Sequence, residues 1–231
     1  MWTYDYYLDI IDYGMHHNNS FFLRHDVDLS LKKALQMAEV EATRKLHSTY
    51  YILLSSPYYN ALSPENLEKI RMIRDLGMGI GLHYDASIKP EMDNEDYKNE
   101  ICVQIGLLEH HIGPLEGMSV TFHKPVMGKD ADIELVNLLN QEEIYVPNYD
   151  QRFKYISDSG HNWREDPIEV MNEHEKIHLN THPEWYNDEE KSMKECIYSL
   201  KLDKESDRLM RKEVRDINEY LRRIKNDKEM A

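Results

Sequence analysis

At 231 residues, 41% hydrophobic and 31% charged, the chain has the size and composition of one sizeable α/β domain with a proper core. A formal net charge of -15 speaks against a nucleic-acid backbone or an anionic membrane surface as partner, because such footprints are basic. No apolar run reaches the length needed to span a bilayer, and Cys102 and Cys196 suggest neither a disulfide framework nor a thiolate metal cage. Cys102 lies in an apolar helical run and reads as a core residue. The opening Met1-Trp2-Thr3-Tyr4-Asp5 has neither a basic region nor an apolar signal core, so the expected location is cytoplasmic.

Along the chain, Tyr6, Tyr7, Ile10 and Ile11 form a helix-like stripe before a first strand at Ser20 to Leu23, which ends in Arg24-His25-Asp26-Val27-Asp28. Leu31, Ala34, Leu35, Ala38 and Ala42 recur at helical spacing, and Ser48 to Leu54 reads as a second strand. Ser63 as N-cap, Pro64 at the first helical position and Gly77 past the end mark the next helix. A third strand over 78–82 ends in His83-Tyr84-Asp85. A helix over 95–112, closed by Gly113, leads to a fourth strand at Ser119 to Phe122, which ends in His123-Lys124-Pro125. A helix over 131–140 precedes a fifth strand at Ile144-Tyr145-Val146. A less regular stretch then carries Phe153 to Ile156 and Ser157-Asp158-Ser159-Gly160, and a last strand at Ile177 to Asn180 ends in Thr181-His182-Pro183-Glu184-Trp185.

Strands that are short apolar runs, alternating with helices, predict a parallel sheet covered by helices: a distorted (β/α) barrel of about seven strands forming one domain over 1–231. From 187 onward the chain reads as a charged helical extension packed on that domain. Met210, Val214, Ile217, Leu221 and Ile224 give it one apolar face. Packing of that face on the barrel exterior is favoured over a coiled-coil dimer, for which the stripe is short, although an oligomer through this helix stays open.

Ionisable groups follow four of the strands: Asp26 and Asp28, His83 and Asp85, His123, and His182. In parallel α/β folds the catalytic groups gather beyond the carboxyl ends of strands. Residues two apart on a strand face the same way, so Asp26 and Asp28 present two carboxylates together, and a divalent cation relieves their repulsion. The alternative reading of Asp28 is a plain helix N-cap. Imidazoles with carboxylates suit zinc or another first-row metal, with Co2+, Ni2+, Mn2+ and Fe2+ also admitted. An open coordination position on zinc would lower the pKa of water to ~7. His16, His17, His47, His110, His111, His161 and His174 read as surface residues and His178 as structural. Trp163, Trp185 and Tyr186 read as rings that stack on a sugar or fill the core.

These residues resemble a family. Asp26-Val27-Asp28, His83, Phe122-His123-Lys124-Pro125 and Leu179-Asn180-Thr181-His182 follow, in order over residues 20 to 186, the motifs of the NodB-homology polysaccharide deacetylases. The strings RHDVD, GLHYD, TFHKP, SDSG and THPEW are similar to the WbmS-like branch, which is associated with surface-polysaccharide loci. The resemblance implies Asp26 as catalytic base, His182 as general acid, and Asp28 and His83 as metal ligands. It further implies hydrolysis of an N-acetyl amide on an acylated sugar or nucleotide-sugar.

Two departures stand out. The second histidine of the family's second motif is replaced by Ser87, so a third ligand must come from His123, Asp85 or His182; His123 is favoured, with Asp85 as a supporting residue. The usual Arg of the third motif is absent at position 123, and Arg24 or Lys124 would have to orient Asp26. Arg24, Asp85, Asp158, Trp163 and Trp185 are thus expected to support the site or bind substrate. The competing functions are hydrolysis of another C–N bond, such as a formamide or cyclic amide, and carbohydrate binding without turnover.

Overall fold

The computed structural model describes residues 1–17, 20–88, 91–115, 117–124, 129–200 and 204–229. Six parallel strands form one curled sheet: β1 (Ser20–Val27), β2 (Thr49–Leu53), β3 (Gly79–Asp85), β4 (Val120–Lys124), β5 (Lys154–Ser157) and β6 (Lys176–Thr181), in the order β4-β3-β2-β1-β6-β5. This is the expected distorted barrel, with six of the about seven expected strands among the described residues and two placements that differ from the sequence reading. Ile144-Tyr145-Val146 contributes only a single bridge, Ser119 with Tyr145, beyond the edge at β4. The stretch that looked irregular contains β5, a four-residue edge strand too short to show a period.

The helices form where their signals predict. Ser30 caps α2 (Leu31–Thr43) through Lys33 N, so the N-cap reading of Asp28 is set aside. Ser63 caps α3 (Pro64–Asp75), with Pro64 in the first turn, and Gly77 follows at φ 90°. Helix α1 (Tyr4–His17), α4 (Asn94–Ile112), α5 (Lys129–Gln141), α6 (Pro167–Glu173) and α7 (Met193–Ser199) complete the cover. The core between sheet and helices is aliphatic, with Ile52, Leu82, Ile70 and Ile105 buried. Each such side chain contributes about 1.5–3 kcal/mol relative to exposure. Cys196 is buried and Cys102 half-buried.

Strand alternation gives β1 two different faces. His25 points outward beneath α1 and α2, level with Tyr50 of β2 and Thr181 of β6. There its Nε2 meets Glu41 Oε1 at 2.9 Å and its Nδ1 meets Thr181 Oγ1 at 2.7 Å. Tyr7, Ser48 and Tyr50 also donate hydroxyls to the Glu41 carboxylate, and every member of the group is buried. Arg24 and Asp26 point to the concave face. Gly81 faces them from β3, where a Cβ would come within 2.5 Å of the Tyr51 ring; its absence lets Tyr51 lie flat beneath Arg24.

The last helix, α8 (Lys204–Glu229), turns Val214 and Ile217 toward the core, while the side chains of Met210 and Ile224 lie outside the described residues. Ile217 and Tyr220 approach Gly160, and Glu213 accepts a hydrogen bond of 2.9 Å from Tyr58. Helix α8 thus meets the loops that follow β2 and β5. Among the described residues no helix is long and apolar enough to cross a membrane.

Candidate active site

The site is assembled at the carboxyl ends of β1, β3, β4 and β6. Asp28, one residue past the end of β1, turns Oδ1 to His83 Nε2 at 3.2 Å and to His123 Nδ1 at 3.1 Å. Donor atoms of Asp28, His83 and His123 all lie within 4.8 Å of one another, the only such grouping of three among the described residues. Burial opposes ionisation of Asp28, but the imidazoles of His123 and then His83 hold its carboxyl well below the ordinary carboxylate range.

The tautomer of His83 follows from its second nitrogen. Nδ1 lies 2.7 Å from Thr121 Oγ1, and that hydroxyl donates to Asp26 Oδ1 at 3.2 Å. With its proton used on Asp26, Thr121 accepts from Nδ1–H, and Nε2 is the nitrogen turned to Asp28. This donor set, one carboxylate and two imidazoles, fits a divalent first-row metal.

Asp26 is buried next to this triad and held on both oxygens. Oδ2 accepts from Arg24 Nη2 at 3.0 Å and from Asn180 Nδ2 at 2.9 Å. Although burial would raise its pKa, Arg24, ahead of His83 and His182, keeps it lowered. Arg24 is itself clamped between the Tyr51 and Tyr155 rings, 5.6 and 5.7 Å from their centroids, and donates to Asn148 Oδ1 at 2.7 Å. Of the two residues expected to orient Asp26, Arg24 is hydrogen-bonded to it, while Pro125 and the side chain of Lys124 lie outside the described residues.

His182 stands across from the triad, with Nε2 3.8 Å from Asp28 Oδ2. Its Nδ1 meets Asp158 Oδ1 at 2.6 Å, while Asp158 Oδ2 accepts from the His182 backbone N–H and from Tyr186 Oη. Burial disfavours the imidazolium, yet Asp158, and behind it Asp28, raise its pKa well above the usual histidine value.

Asp85 is not in the triad. Its Oδ1 accepts from the backbone and hydroxyl of Ser87 in an exposed turn. Trp185 is buried, its ring 6.5 Å from that of His182. Trp163 lies further out, parallel to Trp2 at 6.2 Å. His161 is corrected from surface residue to half-buried ring: it stacks on Trp2 at 4.1 Å, and burial pushes its pKa down to about 4. His178 is buried between the rings of Phe22 and Tyr155.

Thr121, Asn148, Asn180 and Glu184 are contributors that residue type alone did not single out. Period-two spacing from His123 and His182 would have flagged Thr121 and Asn180. Glu184 is buried, its Oε2 has no hydrogen-bond partner among the described residues, and burial, followed by the charge of Asp28, pushes its pKa up to about 8.

A parallel, helix-covered sheet carries the Asp28-His83-His123 grouping at the carboxyl ends of its strands. No family model and no curated protein sequence matches the chain. Solved structures match its fold. A CE4 family pseudoenzyme from Bacillus anthracis gives a TM-score of 0.50 at 12% identity, covering 86% of this chain and 61% of its own. A mutant of that pseudoenzyme with restored enzymatic activity gives 0.50 at 12% identity, covering 86% and 63%. A mutant of a peptidoglycan deacetylase from Bacillus subtilis gives 0.49 at 15% identity, covering 93% and 98%. The chain spans less than two thirds of the length of the first two. Its structural neighbours are CE4 family, NodB-like proteins, and the fold is theirs.

Proposed function

We propose that the protein is a metal-dependent deacetylase that hydrolyses an N-acetyl group on a sugar, acting in surface-polysaccharide synthesis. The observation that carries this reading is the Asp28-His83-His123 triad, flanked by a buried carboxylate, Asp26, and a buried imidazole, His182. Asp28, His83 and His123 would hold the cation, zinc being the first choice for this donor set. When bound, such a cation polarises an acyl carbonyl and makes water a better nucleophile.

The remaining groups divide the proton work. Asp26, kept ionised by Arg24 and Asn180, takes a proton from the water whose oxygen bonds to the acyl carbon. His182, kept protonated by Asp158, delivers its proton to the amide nitrogen as the C–N bond breaks. The products are acetate and a free amino sugar, and the proton on Asp26 returns to His182 through solvent. Thr121 and Asn180 fix the base, and Asp158 with Tyr186 fixes the acid.

Acetate release from a panel of N-acetylated sugars and nucleotide-sugars, by metal-loaded and by chelator-treated protein, tests the reading. Release by the loaded protein alone is the expected outcome. No release from any member by loaded protein would move the reading to carbohydrate binding without turnover.

A further inference from the structure

Asp28 stands one residue beyond β1, where the ladder to β2 has ended at Val27 and Ile52. Its backbone therefore lacks the strand bonds that fix the residues before it, and its carbonyl must find another donor. The loop that follows β2 supplies one. Ser56 Oγ donates to Asp28 O at 2.9 Å, and Tyr59 Oη donates to Val27 O at 2.6 Å. Tyr59 Oη in turn accepts from the Leu53 N–H at 3.1 Å, which fastens the phenol to the end of β2.

Tyr58, in the same loop, joins it to α8. Its backbone N–H donates to Ser56 Oγ at 3.2 Å, and its hydroxyl donates to Glu213 Oε2 at 2.9 Å. A bonded path thus runs from Glu213 of α8 through Tyr58 and Ser56 to the carbonyl of Asp28. Its outermost link ends on a carboxylate, and such hydrogen bonds are about twice as strong as neutral ones. Tyr58 and Glu213 are both half-buried. Burial, and then the carboxylates of Glu213, Asp216 and Asp28, raise the pKa of Tyr58, so the phenol keeps the proton it donates.

Glu213 is held in place from the far side of the sheet. Glu213, Ile217 and Tyr220 are spaced four and three apart and share one face of α8. Ile217 and Tyr220 approach Gly160, in the loop after β5, and the Arg164 guanidinium lies 5.5 Å over the Tyr220 ring. Seven residues of helix rise about 10 Å. Helix α8 is therefore anchored on the loop that carries Asp158 and reaches across to the loop that holds the backbone of Asp28.

We propose that Glu213 is a positioning residue for Asp28, acting through Tyr58 and Ser56 to fix the carboxylate where His83 and His123 meet it. That Asp28 holds a cation rests on the proposed function; the bonded path from α8 does not.

The test is the cobalt affinity of the full chain, read from visible absorption in competition with a chelator, together with amide exchange. Glu213→Ala and Tyr58→Phe both break the path. Each should weaken cobalt binding about five-fold, below the roughly 10–100-fold typical of a ligand's own hydrogen-bond partner. The double variant should bind no more weakly than either single one, because both remove the same bond. Glu213→Gln keeps an acceptor for the phenol and should stay within about two-fold of the parent. Glu219→Ala removes an exposed ion pair with Arg223 on the same helix and should leave the affinity unchanged. Peptides over 24–30 and 54–60 should exchange faster in Glu213→Ala and Tyr58→Phe, and not in Glu213→Gln or Glu219→Ala. Parental affinity in both path variants, summed losses in the double variant, equal weakening in Glu219→Ala, or unchanged exchange over 24–30 would each overturn the proposal. A parent that binds no cobalt would defeat the cation reading, and exchange over 24–30 would then decide the role of Glu213.

Discussion

Two acid–imidazole clusters sit on opposite faces of β1, a buried one around Glu41 and a half-buried one around Asp28, and they are built differently. Glu41 is closed: His25, Tyr7, Ser48 and Tyr50 fill its oxygens, and no member is reachable from solvent. Asp28 has two imidazoles on one oxygen and, among the described residues, no hydroxyl donor, and the His123 side chain keeps 23% of its surface exposed. A carboxylate with every lone pair answered by protein donors is a structural tie between sheet and helix. One answered only by groups that also bind metals, and left open on one side, is a place for an ion. Neighbouring residues of one strand thus separate a closed structural tie from the site proposed to do chemistry.

The sharpest break between the faces should come from the concave side. Asp26→Asn and His182→Ala are each expected to lower turnover 10²–10⁴-fold while metal content, measured by elemental analysis, stays near one per chain. For His182→Ala the basic limb of the pH–rate profile should vanish as well. Metal lost in step with activity would make either residue a ligand instead.

On the outer face the expected loss is stability. Glu41→Ala leaves His25 and three hydroxyls without their acceptor and should cost about 3–5 kcal/mol in urea unfolding. The folded fraction should bind metal as the parent does; a variant that unfolds normally but loses metal would erase the distinction between the faces.

Asp28→Ala should change the chelator-treated protein little. It should abolish the metal-induced stabilisation, which is about 2.7 kcal/mol when free metal is a hundredfold above its dissociation constant. A melting shift with metal that survives in Asp28→Ala would place the ion elsewhere.

The smallest effect concerns His178, whose pKa burial, reinforced by the charge of Arg24, lowers to about 3. A lowered pKa means the unfolded chain takes up the proton first. The stability it supports is therefore present above the unfolded value near 6.5 and is lost as pH falls toward 3, by up to about 1.4 kcal/mol per pH unit. In His178→Gln the decline in unfolding free energy between pH 6.5 and 5 should be shallower. An identical decline would show that the ring titrates as it does in solvent.

The sequence exposed the Asp28-His83-His123 grouping because each member follows an apolar run and stands where a strand must stop. Asp26 and His182 were readable for the same reason. The fifth strand assignment failed because Ile144-Tyr145-Val146 carries β-formers but pairs with one residue only, and β5 read as irregular because Lys154–Ser157 is a short edge strand held by β6 alone. His25 and Glu41 were invisible as a pair, since 16 residues and a turn of chain separate them and neither shows its partner locally. Glu184 was hidden in a string that looked like a loop, although its carboxyl is buried.

The strand order carries a consequence for how the molecule comes into being. β1 to β4 are neighbours in space in the order in which they are synthesised, so Asp28, His83 and His123 come together through short-range steps. β6 must then return to lie beside β1, bringing Thr181 to His25 across 156 residues of chain. Such a distant pairing is expected to form last, because loop closure is costly before contacts reward it. Pulse-labelled amide exchange during refolding should protect β2 and β3 before β6, and simultaneous protection would refute that order. On this route Asp28, His83 and His123 meet, with Asp26 already beside them on β1, before His182 arrives behind β6, so a folding intermediate would hold the proposed ion cradle without its proposed proton donor.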